Sequence, residues 1–143
     1  MKFVAFIFSL FVSSHGQAQD KPGDKLNLEI LCGSGAQTSK DIQAFKIIVD
    51  LNDTTAISNK LFVGSKLEQV LSAITLRYYQ TSGSFLLTEG QEKRIREISK
   101  FKDKFSLCFT CTFHQEGSVK RLFYRRNHLS SYSIIETFLS NKL

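Results

Sequence analysis

Residues Phe105–Phe113, FSLCFTCTF, place apolar side chains at every second position. Successive residues of an extended strand point to opposite faces. Phe105, Leu107, Phe109, Cys111 and Phe113 therefore share one face, and Ser106, Cys108, Thr110 and Thr112 the other. One apolar and one polar face describe a half-buried antiparallel strand. HQEGS follows, and then VKRLFYRR. A reversal centred on Glu116-Gly117 predicts a hairpin, with Cys111 opposite Leu122 and Phe109 opposite Tyr124. Arg121, Phe123 and Arg125 then lie outside with Cys108. A one-residue slip would bury the two arginines at high desolvation cost. Because Glu is a poor residue for positive φ, a four-residue loop of the same parity is an equal alternative.

The chain opens on Met1-Lys2 and an apolar run, FVAFIFSLFV, followed by small and polar residues up to Ala18. A basic start, a short apolar core and small residues at Gly16 and Ala18 predict a secretory signal peptide over 1–18. The run is too short to span a bilayer, and no later segment is apolar enough to do so. Residues 19–143 have the size of one domain. The expected location is exported, either periplasmic or extracellular. Formal net charge is +6, and removal of Lys2 lowers it by one.

Export permits disulfides. The three cysteines, Cys32, Cys108 and Cys111, leave one bridge and one thiol as the simplest outcome. Leu26, Leu28, Ile30 and Cys32 alternate on one face of a first strand. Parity thus favours Cys32–Cys111, two core-facing positions, with Cys32–Cys108 as the alternative. Residues three apart in a strand lie about 10 Å apart, so a local Cys108–Cys111 bridge is disfavoured. Cys108-x-x-Cys111 has the spacing of a redox motif, but such motifs hold both thiols at a helix start, and a strand sends these two to opposite faces. No second Cys or His pair completes a zinc site. No cofactor or metal is expected.

Elsewhere, Phe45–Leu51 (FKIIVDL) predicts a strand with Phe45, Ile47, Val49 and Leu51 inward, closed by a turn at Asn52-Asp53. Ile57–Val63 predicts a short strand. Ser65–Leu71 is ambiguous, because Ser65-x-x-Glu68 has the form of a capping box. Ile74–Tyr79, Thr81-Ser-Gly-Ser84 and Phe85–Thr88 predict a second hairpin. In the basic segment 90–104, Ile95, Ile98 and Phe101 recur at helical spacing, with Glu92 and Arg96 at i,i+4. Near the C-terminus, Ser133-x-x-Glu136 predicts the capped start of a short helix, with Phe138 and Leu139 packing back. The sum is a mainly β domain, an antiparallel β-barrel or β-sandwich with one or two short helices.

Cys32-Gly33, Ile47-Ile-Val-Asp50, Tyr79-Gln-Thr81-Ser-Gly83 and Cys111 follow one another in an order that resembles a type of small exported bacterial protein of uncharacterised function. The resemblance spans about Leu28 to Phe113 and implies no activity. Cys108 and the basic segment 93–104 are not part of its pattern.

For function, no Gly-x-Ser-x-Gly elbow marks a hydrolase, and His114 and His128 read as loop and surface positions. A small periplasmic hydrolase is the weakest reading. Lys120, Arg121, Phe123, Arg125 and Arg126 are the candidate anion-binding residues, since guanidinium groups beside an exposed ring hold phosphate and stack on rings. Lys93, Arg94, Arg96, Lys100, Lys102 and Lys104 add to the basic character. The expected activity is non-enzymatic binding of an anionic ligand or acidic protein through a basic surface. No motif supports nucleic acid as the partner. The alternative is an envelope structural role, with dimerisation through an unpaired Cys108.

Overall fold

Alternation does build the first strand: β1, Lys25–Ile30, buries Leu26, Leu28 and Ile30 and exposes the residues between them. The computed structural model describes residues 25–33, 37–110, 113–124 and 131–140. The expected signal peptide, 1–18, lies outside the described residues. Four helices follow β1: α1 (Lys40–Asp50), α2 (Thr54–Val63), α3 (Lys66–Thr81) and α4 (Glu89–Ile98). Strands β2 (Lys104–Phe109) and β3 (Phe113–Ser118) come next, then α5 (Val119–Tyr124) and α6 (Ser131–Leu139).

The architecture is mixed α/β, with 59% of the described residues helical. This corrects the expected barrel or sandwich. The reason is visible in the aliphatic segments. In α1, Ile42, Phe45 and Val49 are buried at spacings of three and four, while Ile47 is 60% and Leu51 73% exposed. That is one helix face, not one strand face. In α2 the buried pair is Ile57 and Leu61, again four apart. Helix α3 hides its period altogether. It buries every residue from Val70 to Leu76, because α1, α2, α4, α6 and β1 surround it.

The expected hairpin turn at Thr81–Ser84 and the expected strand-closing turn at Asn52-Asp53 are both helix ends. The hydrogen bonds Ser84 N→Tyr79 O (3.0 Å) and Gly83 N→Gln80 O (3.1 Å), with Gly83 at φ +73°, form a Schellman motif closing α3. Asn52, at φ +53°, does the same for α1 through Asp53 N→Ile48 O (3.2 Å) and Asn52 N→Val49 O (2.9 Å). Asp53 then caps α2 by accepting from Ala56 N at 2.9 Å. Ser65 and Thr88 begin α3 and α4 with full capping boxes, as the sequence suggests at Ser65.

The sheet runs β1-β2-β3. β1 and β2 are parallel, with Lys25 beside Lys104 and Ile30 beside Phe109. A parallel pair needs a long crossover, here the four helices. β2 and β3 form the antiparallel hairpin, but its reversal lies between Phe109 and Phe113, which pair with each other. Expected pairings of Cys111 with Leu122 and Phe109 with Tyr124 are overturned, and residues 119–124 are helix rather than returning strand. The inner sheet face, carrying Leu28, Ile30, Phe105 and Leu107, joins α1 and α3 in the core. The outer face is polar.

The disulfide joins Cys32 to Cys108, with Cα atoms 5.9 Å apart. This displaces the parity-favoured Cys32–Cys111. Regular alternation stops at Ile30: Leu31 turns to φ +53° and donates its N–H to Thr38 Oγ1 at 3.3 Å. Cys32 leaves the inward row and meets Cys108 on the outer face. Cys111 lies outside the described residues. Cys108, the residue expected to make an intermolecular bridge, is already paired within the chain.

Candidate anion-binding groove

The end of the sheet that starts β1 and β2 carries Lys25 and Lys104 side by side on the outer face. Opposite Lys104 on β3 is Ser118, where the strand gives way to α5. Two backbone bonds dock that helix: Val119 N donates to Asp103 O at 2.9 Å and Lys120 N to Phe101 O at 3.1 Å. Asp103 is itself held by Lys66 at 2.7 Å. The segment carrying Lys102 is thereby pinned beside α5, and Arg121 is brought to the same rim.

The result is an open groove of about 600 Å³ lined by Lys25, Lys102, Lys104 and Arg121, with Glu116, Gly117 and Ser118. A smaller recess continues from it past Arg121 towards Gln115 and Ser131. Gly117 sits over the ring of Phe105, and a Cβ there would come within 3.1 Å of it. Four cations face one carboxylate. Glu116 is paired with Lys25, and the Lys25 hydrogen bond and charge, helped by Ser106 and Lys104, hold its carboxyl below the usual range. Such a surface attracts anions.

The expected site residues are distributed as follows. Arg121 lines the groove. Lys120 is exposed on α5, its Nζ 6.0 Å from the centre of the Tyr124 ring. Phe123 is only 6% exposed and packs edge-on against Tyr132, with ring centres 5.6 Å apart. It belongs to the core, which corrects its expected place as an exposed stacking ring. Arg125 and Arg126 lie outside the described residues, as does His128. In the basic segment, Arg94 serves the fold: it donates to Gln69 Oε1 (2.8 Å), Glu97 Oε2 (3.0 Å) and Leu61 O (3.4 Å). Arg96 faces Glu92 at 3.6 Å. Lys102 and Lys104 are the members that reach the groove.

Lys25 and Glu116 were missed. Lys25 reads as part of a polar lead-in, and only the parallel pairing of β1 with β2 delivers it. Glu116 reads as a turn residue until the turn moves to the other side of Phe113.

A second cleft, of about 240 Å³, opens between the ends of α1 and α6 and the side of α3, beside Asp50, Tyr78, Tyr79 and Glu136. Asp50 accepts from Lys46 at 2.7 Å, and the Tyr79 hydroxyl donates to Val49 O at 3.4 Å. Burial first, then Tyr78 and Asp50, raises the Tyr79 pKa. Its carboxylates make this cleft a poor seat for an anion. Among the described residues no group of three or more His, Cys, Asp or Glu is placed to hold a metal, and no helix is long and apolar enough to cross a membrane.

No protein-family model, no curated protein and no solved structure matches this chain.

Proposed function

We propose that this chain is an exported, non-enzymatic binding module that holds an anionic ligand or an acidic protein in the groove of Lys25, Lys102, Lys104 and Arg121. The observation that supports this reading is convergence. Four cations come from three separate stretches of chain (β1, the lead into β2 with Lys102 and Lys104, and α5) and meet beside a single carboxylate. A basic surface kept only for solubility has no need of such focus. Export rests on the Met1-Lys2 start, the apolar run after it and the small residues that close it at Ala18.

The test is a salt titration of heparin, as a model polyanion, against the full chain and a Lys104→Ala/Arg121→Ala variant. Each lost cation should lower the slope of log K against log salt by about 0.7–0.9. A Lys93→Ala/Lys100→Ala variant, with the same net charge but exposed positions on and just after α4, should retain most of the affinity. Equal losses in the two variants would reduce the effect to net charge and overturn the groove.

A further inference from the structure

Three outer-face residues stand in one row across the sheet: Glu29 on β1, Cys108 on β2 and His114 on β3. His114 is exposed, and Cys32 and Cys108 are partly so. The imidazole Nε2 lies 3.9 Å from Cys108 Sγ. A bridge serving only to staple the core gains nothing from solvent access or from a titratable neighbour. We infer that Cys32–Cys108 is an exchangeable disulfide, reduced by an external dithiol attacking Cys32, with His114 as proton donor to the departing Cys108.

The chemistry follows from where the imidazole sits. A thiolate of the dithiol attacks Cys32 Sγ and forms a new S–S bond, and the Cys32–Cys108 bond breaks. The electron pair leaves on Cys108 Sγ, which takes the proton from His114 Nε2. The second thiolate of the dithiol then attacks the mixed disulfide, releasing Cys32 as a thiolate that solvent protonates. The dithiol is oxidised to a disulfide and the protein gains two thiols. Exchange prefers the leaving sulfur with the lower pKa, and an imidazolium beside Cys108 favours that sulfur. Both freed thiols have acceptors at hand: Ile30 O is 3.7 Å from Cys32 Sγ, and Thr110 O is 3.7 Å from Cys108 Sγ. The charged neighbours are Glu29 in the same row and Glu116 one row further along β3. Lys25 and neighbouring groups hold the Glu116 carboxyl below the usual range, and imidazole is the side chain type whose ordinary charge change falls between about pH 5 and 8, so pH is the variable that tests its part.

The experiment uses the oxidised full chain carrying Cys111→Ser, which removes the third thiol. Reduction by dithiothreitol is followed by alkylation and mass shift, and each rate is divided by the thiolate concentration of the reagent. At pH 5.5 the histidine protein should be reduced roughly fivefold faster than its His114→Gln form, with the two converging by pH 8. His114→Lys, a charge that does not titrate in this range, should remain fast at both ends. Trapping with glutathione should place the mixed disulfide on Cys32. Equal rates for His114→Gln at every pH, or glutathione on Cys108, would overturn the inference.

Discussion

Single residues carry effects that spacing does not announce. The joint between α2 and α3 depends on Glu68, whose carboxylate takes Lys60 Nζ at 2.6 Å and the Ser65 N–H at 2.8 Å. Burial pushes the Glu68 pKa up, but Lys60 and the Ser65 bonds outweigh it, and the value lies below normal. A carboxyl with a depressed folded pKa contributes stability above its unfolded value, about 4.3, and loses it as pH falls through the folded value. The urea midpoint of the chain should therefore exceed that of Lys60→Met near pH 6. The gap should narrow steadily below about pH 4. A gap that persists to pH 2.5 would mean Lys60 acts through packing instead.

Elements are set by their ends as much as by their faces. Gly64 closes α2 just before Ser65 caps α3, and the two helices come so near that a Cβ would meet Lys60 O at 2.6 Å and Glu68 Cβ at 2.9 Å. Gly64→Ala should destabilise by about 1–3 kcal/mol, the usual cost of overpacking. Gly90 is the contrast. It lies inside α4 with only Thr88 Oγ1 within 4.0 Å, so Gly90→Ala should stabilise by roughly 0.5–1 kcal/mol. Chemical denaturation of the two variants reads both signs at once. Capping chemistry of this kind is local, so the box at Ser65 shows as a pattern in the chain, while the one at Thr88 is hidden in a segment that reads as a returning strand. The glycine turn at residues 81–84 cannot, because a Schellman end and a hairpin turn both need a positive φ, and the same residue supplies it to either.

At the scale of the molecule, the parallel pairing of β1 and β2 organises everything else. It brings Lys25 to Lys104, sets the helices on one side of the sheet, and puts Cys32 within reach of Cys108. That bridge closes a separation of 76 residues. In the chain-entropy account a loop of this size confers about 4 kcal/mol. A Cys32→Ser/Cys108→Ser double variant should unfold at markedly lower urea, and Cys111→Ser alone should leave the midpoint near its original value. A large loss in Cys111→Ser and none in the double variant would mean that another pairing operates.

By itself the sequence determined the features whose cause is local. These are the β1 alternation from Leu26 to Ile30, the inward Phe105 and Leu107 with outward Ser106 and Cys108, the Ser65-x-x-Glu68 capping pattern, the helical spacing of Ile95 and Ile98, and an excess of basic residues. Tertiary structure alone decided whether FKIIVDL and ITLRYY would be strand or helix. Short apolar runs satisfy both periods, and the choice falls to whatever surrounds them. It also decided the disulfide, through one left-handed residue at Leu31, and the membership of the groove. Phe123 was drawn into the core against Tyr132, and Lys25 was carried to Arg121. Side chains distant in the chain become neighbours only when a sheet register fixes them, and register is a property of two strands together.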